Sequence, residues 1–232
     1  MKIKSLIFAL VAIVVAILLS MYFRESLFFL VGTLKFGWLI SNILLRLLVI
    51  IFFAVFLHHV LKLILKQRTL KFGWVFLIAL LPGFGLSFIT PIYNVDFGKF
   101  NDDFKLVNKT HIDQYLKQQP DPANYSLYAF FTTTCPHCKE ASERLGTNIE
   151  SGQKIQVNIL FPSTEEDAQK FLADHKGSKF NYGLIENDSV FIVTSGGAFP
   201  SVFLVDGQGT TVSHWTGDEL NYTALDYLKS LE

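Results

Sequence analysis

Hydrophobic and polar positions divide this chain in two. Up to about residue 92 the apolar residues come in long, barely interrupted runs; beyond it they alternate with polar residues in short segments. The first run, residues 5–23, has the length needed to cross a bilayer and follows Lys2 and Lys4. It ends at Arg24 and Glu25, and further runs cover residues 36–61 and 72–92. The pattern therefore predicts a transmembrane region over residues 1–93 with about three helices, 5–23, 36–61 and 72–92. The first run reads as a retained anchor rather than a cleaved signal peptide, because no small-x-small cleavage site follows it. Residues 26–45 offer a possible fourth span, which would place the rest of the chain on the other side of the membrane.

Residues 94–108 read as a linker leading into a domain over residues 109–232. There the pattern predicts a helix over 111–119, closed by Pro120 and Pro122, and a buried strand over 125–132. A helix over 139–149, a strand over 154–161 and a capped helix from Ser163 to about His175 follow. Residues 190–194 read as a short strand. Residues 201–205 and 210–215 form a hairpin around Asp206-Gly207-Gln208-Gly209, and residues 218–231 a closing helix. Strands alternating with helices, plus a terminal hairpin, give an α/β fold with a mixed sheet.

Charge sharpens the division. The net charge of zero hides nine Lys/Arg against Glu25 alone in residues 1–93, and eleven against nineteen acids in the remainder. Lys62, Lys66, Arg68 and Lys71 form the densest basic cluster, between the second and third runs. Excess Lys and Arg mark cytoplasmic loops. The N-terminus and this loop are therefore expected inside, and with three spans the acidic domain lies outside. An acidic domain without a basic stripe gives no nucleic-acid surface. Thr33-Leu34-Lys35-Phe36-Gly37-Trp38 recurs as Thr69-Leu70-Lys71-Phe72-Gly73-Trp74, in each case with Lys and Trp placed as interfacial anchors ahead of an apolar run. Arg46, His58 and His59 are ionisable groups within the second run and so functional candidates, although headgroup contact near Lys62 is the simpler reading for the histidines.

The chemistry is concentrated in Cys135-Pro136-His137-Cys138, which holds the only two cysteines of the chain. Two cysteines make no disulfide framework. The motif sits between an expected strand and an expected helix, where helix N-terminal amides and the macrodipole favour a thiolate. As a purely structural disulfide its loop is too short to stabilise much. Zinc needs two more ligands, and His111, His175 and His214 are scattered, so no metal is expected. Covalent haem needs His after the second cysteine, where this chain has Lys139. No phosphate-binding, dinucleotide or GxSxG signature is present, and Gly196-Gly197 reads as shaping a loop.

Tyr128-Ala129-Phe130-Phe131-Thr132-Thr133-Thr134-Cys135-Pro136-His137-Cys138 and Ala198-Phe199-Pro200-Ser201-Val202-Phe203-Leu204-Val205-Asp206, in this order, resemble the thioredoxin-like superfamily over about residues 105–232. The resemblance implies a thioredoxin-like fold, a central mixed sheet flanked by helices, preceded here by an α-helical transmembrane region. It implies Cys135 as nucleophile and Cys138 as resolving thiol. Pro136, His137 and Thr134 would modulate the site, and Phe199 with a cis-configured Pro200 would hold substrate. Pro-His between the cysteines is similar to the oxidising DsbA type, and the membrane tether to the TlpA type, which is often linked to reduction. Two positions depart from the family: Thr134 stands where Trp is usual, and Ala129 where a buried acid often takes the proton of the second cysteine. Glu140 and Glu143 are candidates to replace that acid.

The resulting expectation is a membrane-tethered thiol–disulfide oxidoreductase of DsbA/TlpA-like kind, multi-pass in a bacterial-type plasma (inner) membrane. Its catalytic domain would be extracytoplasmic and act on protein thiols and disulfides through a mixed disulfide. No bound cofactor is implied beyond the Cys135–Cys138 disulfide. The implied partners are client proteins, the lipid bilayer, and a membrane or soluble redox protein that recharges the pair. The alternative is a non-catalytic assembly factor or redox sensor that uses the fold as a binding module.

Overall fold

The computed structural model describes residues 2–64, 73–74, 77–78, 105–106, 109–120 and 125–231. The chain divides into two compact units, one of residues 1–30 and 36–94, the other of residues 31–35 and 95–232. The expected helix over 72–92, the second copy of the hexapeptide and the linker over 94–108 lie almost wholly outside the described residues.

In the first unit, α1 is Lys2–Met21, α2 is Phe23–Gly32 and α3 is Trp38–Ile64. Residues Ile3–Met21 and Trp38–Ile64, with mean hydropathies of 2.7 and 2.6, are the two described helices long and apolar enough to cross a membrane. They pack together and run antiparallel. Ser5 meets His59 near one end, while the Arg46 guanidinium lies over the Phe23 ring towards the other. Ala9, Ala12 and Ala16 share one buried face of α1, and Ala54 is buried on α3; small residues allow close helix approach. Residues 26–45 do not form one continuous span. Helix α2 has 10 residues, about 15 Å by the helical rise, and the chain leaves the helix before α3 with Lys35 at φ 60°.

The second unit is built on a five-stranded sheet in the order β3-β2-β1-β4-β5, where β1 is Ser126–Phe130, β2 Gln156–Phe161, β3 Asn181–Leu184, β4 Ser201–Val205 and β5 Thr211–Thr216. Strands β1, β2 and β3 pair in parallel, while β4 runs antiparallel to β1 and β5 antiparallel to β4. The run Ser-Leu-Tyr-Ala-Phe is buried at every position because β1 is central and covered on both faces. Tyr128 and Phe130 join Leu160, Phe203, Val205, Phe191, Ile185, Ile112 and Leu116 in one core cluster. Alternate residues face the other way, where Phe131 and Phe161 meet Phe171 edge-on.

Helices α4 (Lys109–Asp113), α5 (Pro136–Glu150), α6 (Glu165–Asp174), α7 (Asp188–Ser195) and α8 (Tyr222–Ser230) surround the sheet. Four expectations need correction. The helix predicted over 111–119 stops at Asp113. Leu116 instead forms a bridge with Gly183, and the Lys117 N–H donates to the Tyr182 carbonyl, so the chain edges β3. Residues 190–194 are helical rather than a strand. Asn187 caps α7 by accepting from the Ser189 and Val190 amides, and Gly196 ends it at φ 76°. Strand β3 escaped the sequence reading because Asn-Tyr-Gly-Leu carries little apolar content. Its Gly183 is required by close packing, since a Cβ there would lie 2.2 Å from the Tyr115 carbonyl oxygen. The closing helix starts at Tyr222, after a 3-10 turn (Gly217–Glu219), where Asn221 accepts from the Ala224 amide.

Tyr128 ties α4 to the sheet: its hydroxyl donates to Asp113 Oδ1 at 2.6 Å, and Lys109 pairs with the same carboxylate at 2.8 Å. Burial, then the Asp113 bond, hold this phenol protonated well above its ordinary range. Unfolded tyrosine ionises near pH 10. The folded state therefore retains the proton where the unfolded state loses it, and stability falls as pH rises past about 10. Y128F should lose about 1–2 kcal/mol at neutral pH through the missing bond. In denaturant melts above about pH 10 its deficit relative to the wild type should shrink; a deficit independent of pH would contradict this account.

Candidate active site

Strand β1 delivers the chain to the CxxC motif. After β1 the Phe131 amide continues the β2 pairing through the Leu160 carbonyl, and a tight turn follows in which the Cys135 amide donates to the Thr132 carbonyl at 3.2 Å. Cys135 is the N-cap of α5 and Pro136 opens the helix, where a missing N–H costs no helical bond. The Cys138 amide points back at the first sulfur and donates to Cys135 Sγ at 3.4 Å. The two sulfurs are free thiols in unequal surroundings: Cys135 is half-buried, whereas Cys138 is fully buried one turn inside. Burial pushes the Cys138 thiol far above its ordinary range, and the neighbouring Cys135 adds to this. The polarity of Thr132 opposes that rise without cancelling it. At neutral pH Cys138 is therefore a neutral thiol. Cys135 is the sulfur open to an incoming disulfide.

The opposite wall comes from the loop between α7 and β4. Gly196 and Gly197 have φ of 76° and 77°, conformations that side chains disfavour, and they turn the chain towards the cysteines. The Phe199–Pro200 peptide is cis, and Cys135 Sγ donates to the Phe199 carbonyl at 3.8 Å. Phe199 stacks on Phe191 at 5.3 Å between ring centroids, and Phe191 packs edge-on against Phe130. Behind the loop, the Gly217 amide donates to the Pro200 carbonyl at 2.9 Å. Ser201 Oγ lies 2.7 Å from Nε2 of His214, a buried ring stacked flat on Phe203.

Cys135, Cys138, Phe199 and Pro200 thus converge, while Thr134, Pro136 and His137 lie exposed around them. Ala129 is fully buried, in register with Ile159 and Val202, so its position is apolar as well as uncharged. Glu140 pairs with Arg144 at 2.7 Å, and Glu143 with His175 at 3.1 Å. Thr132, whose carbonyl accepts from the Cys135 amide, carries no sequence signal beyond its place between the strand end and the motif. The histidines weighed for zinc have other company: His175 meets Glu143, His214 meets Ser201, and His111 packs edge-on against Tyr115. Among the described residues no group of three or more metal-ligating side chains forms. In the first unit His59 Nδ1 is 2.9 Å from Ser5 Oγ and stacks with Phe8, His58 packs edge-on against His59, and Arg46 donates to Asn42 Oδ1 at 2.9 Å.

No protein-family model matches the chain, and no curated protein sequence matches it. Solved structures do. The thioredoxin domain of a thiol–disulfide oxidoreductase from Bacteroides vulgatus is 23% identical, with a TM-score of 0.39, covering 46% of this chain and 81% of that one. A secreted disulfide oxidoreductase from Mycobacterium tuberculosis is 15% identical, with a TM-score of 0.35, over 45% and 82%. A thioredoxin-like protein from Aeropyrum pernix is 14% identical, with a TM-score of 0.40, over 63% and 96%. The sheet order, the CxxC pair at a helix start after β1 and the cis-proline before β4 make the second unit thioredoxin-like in fold.

Proposed function

We propose that this protein is a membrane-tethered thiol–disulfide oxidoreductase acting on protein cysteines outside the cytoplasm. The observation that carries this reading is the asymmetry of the pair: an accessible Cys135 at a helix N-terminus backed by a buried Cys138. A structural disulfide has no use for one exposed and one protected sulfur, whereas a nucleophile and its resolving partner require it. Cys135, as thiolate, attacks a client disulfide and forms a mixed disulfide; Cys138 then displaces the client and closes the Cys135–Cys138 bond. Run in reverse, the same steps donate a disulfide. The cis-proline loop, with Phe199 and Pro200 beside Cys135, is the surface on which a client strand lies. Thr134, Pro136 and His137 form the exposed rim that tunes access to the pair.

The membrane segments contribute anchorage. They carry no cysteine, so they offer no thiol to relay electrons, and a separate membrane or soluble redox protein has to recharge the pair. The apolar outer surfaces of α1 and α3, with Ile3, Phe8, Val11, Ile40 and Leu47 exposed, suit lipid. Their antiparallel arrangement returns the chain to the side of the basic N-terminus, next to Lys62. A third crossing over 72–92 then carries the domain outside a bacterial-type plasma membrane.

Two measurements test this. The full-length Cys138→Ala variant should accumulate mixed disulfides with client proteins, visible as thiol-sensitive adducts on non-reducing gels, and the Cys135→Ala/Cys138→Ala pair should show none. Adduct-free C138A with retained function would favour the binding-module alternative. Because Cys138 is buried and no other cysteine exists, a membrane-impermeant maleimide reads Cys135 alone. It should label reduced wild-type protein from the outer face of intact spheroplasts, and labelling only after lysis would rule out the extracytoplasmic placement.

A further inference from the structure

The wall that faces Cys135 lies just outside the sheet. Phe199 and Pro200 precede β4, Pro200 has no N–H to donate, and the Phe199 carbonyl is turned to Cys135 Sγ at 3.8 Å. Two routes anchor this dipeptide, and both end at the same side chain. Along the backbone, Pro200 leads into Ser201, the first residue of β4, whose hydroxyl lies 2.7 Å from Nε2 of His214 on β5. Through the rings, Phe199 stacks on Phe191, Phe191 meets Phe130 edge-on at 5.6 Å, and Phe130 meets Phe203 edge-on at 5.8 Å. Phe203 in turn carries the His214 ring flat against it, 4.1 Å away. Ser201 and His214 are 0% and 1% exposed, so neither can turn to water. A buried polar group stripped of its partner costs more than the bond contributes, and the pair therefore tolerates few arrangements. Apolar packing alone would let the start of β4 slide; a short polar contact between β4 and β5 does not.

We propose that Ser201 and His214 are positioning residues for client binding, their contact fixing the Phe199–Pro200 wall at the distance from Cys135 that a client strand needs. This rests on the exchange reaction proposed above. The pair acts through the wall rather than on the sulfurs, and reacting groups are sensitive to shifts of about 1 Å. A small disulfide without a peptide backbone has nothing to lay on the wall, so it reacts with Cys135 without this positioning. A peptide disulfide depends on it.

The test compares two disulfides on full-length reduced protein in detergent. One is Ellman's reagent, followed by its colour. The other is a short unstructured peptide with a single cysteine, supplied in excess as its symmetric disulfide and followed by chromatography of the freed peptide thiol. S201A should raise the half-saturating peptide concentration about tenfold and leave the limiting rate within about twofold, the pattern of lost binding rather than lost chemistry. Its rate with Ellman's reagent should match the wild type. H214F should behave alike, and S201A/H214F should be no worse than either single variant, because one contact is lost in all three. The double variant also leaves no buried partner stranded, which separates positioning from stability. An unchanged half-saturating concentration in S201A overturns the proposal. So does equal slowing with both disulfides, or effects that multiply in the double variant. A wild type that reduces Ellman's reagent but shows no saturation with the peptide overturns this proposal and leaves the exchange reading standing; one that reduces neither overturns both.

Discussion

Everything in the second unit serves one unequal burial: a sulfur at the mouth of a helix and another one turn inside it. An α-helix start provides this in four residues, because the N-cap stands outside the helix while the residue three positions on already faces the packed side. Here the backbone amide of the inner cysteine points at the outer sulfur, at 3.4 Å. The arrangement holds only if β1 ends where α5 begins and if α5 is pressed on the sheet. Leu145, buried two turns along the helix from Cys138, supplies part of that pressure.

Polar groups inside the unit fix the geometry that apolar packing leaves loose. Asn158 on β2 donates to the Leu127 carbonyl of β1 at 3.1 Å and accepts from Asn181 of β3 at 2.8 Å. Arg144, almost wholly buried, donates to the Leu220 carbonyl and pairs with Glu140, and its guanidinium lies over the Tyr222 ring. Asn148 reaches the Leu225 carbonyl. These bonds pin α5 to the closing segment. A buried charge or amide tolerates few arrangements, so each contact specifies position more than it adds stability.

The elements legible in the sequence were those whose signal is local. Strand β1 announced itself as an apolar run, α6 through Thr164 and the acids after it, the hairpin through its Asp-Gly turn, and α5 through its place after the motif. The misread elements have signals that compete or depend on neighbours. Val190 to Thr194 is rich in β-branched residues and apolar, which suits a strand, but Asn187 and Gly196 cap it as a helix and Phe191 needs the core. Leu116 and Gly183 meet across 67 positions of sequence, so no local pattern could reveal that residues 114–118 border β3. The helix over 111–119 was lost for the same reason.

The sequence by itself determined the division into apolar runs and an acidic domain and the location of the CxxC motif, since both rest on composition and spacing; the proline facing the motif was implied only by the family resemblance, and its cis peptide belongs to the fold. The sequence left open whether Glu140 and Glu143 stand ready beside the motif. Tertiary structure decided that, because ion pairing depends on what the fold brings near: Glu140 pairs with Arg144 and Glu143 with His175. Folding also converted two neighbouring cysteines of the same chemistry into one open and one protected sulfur. Burial sets that difference, and burial belongs to the packed chain rather than to any residue of the motif.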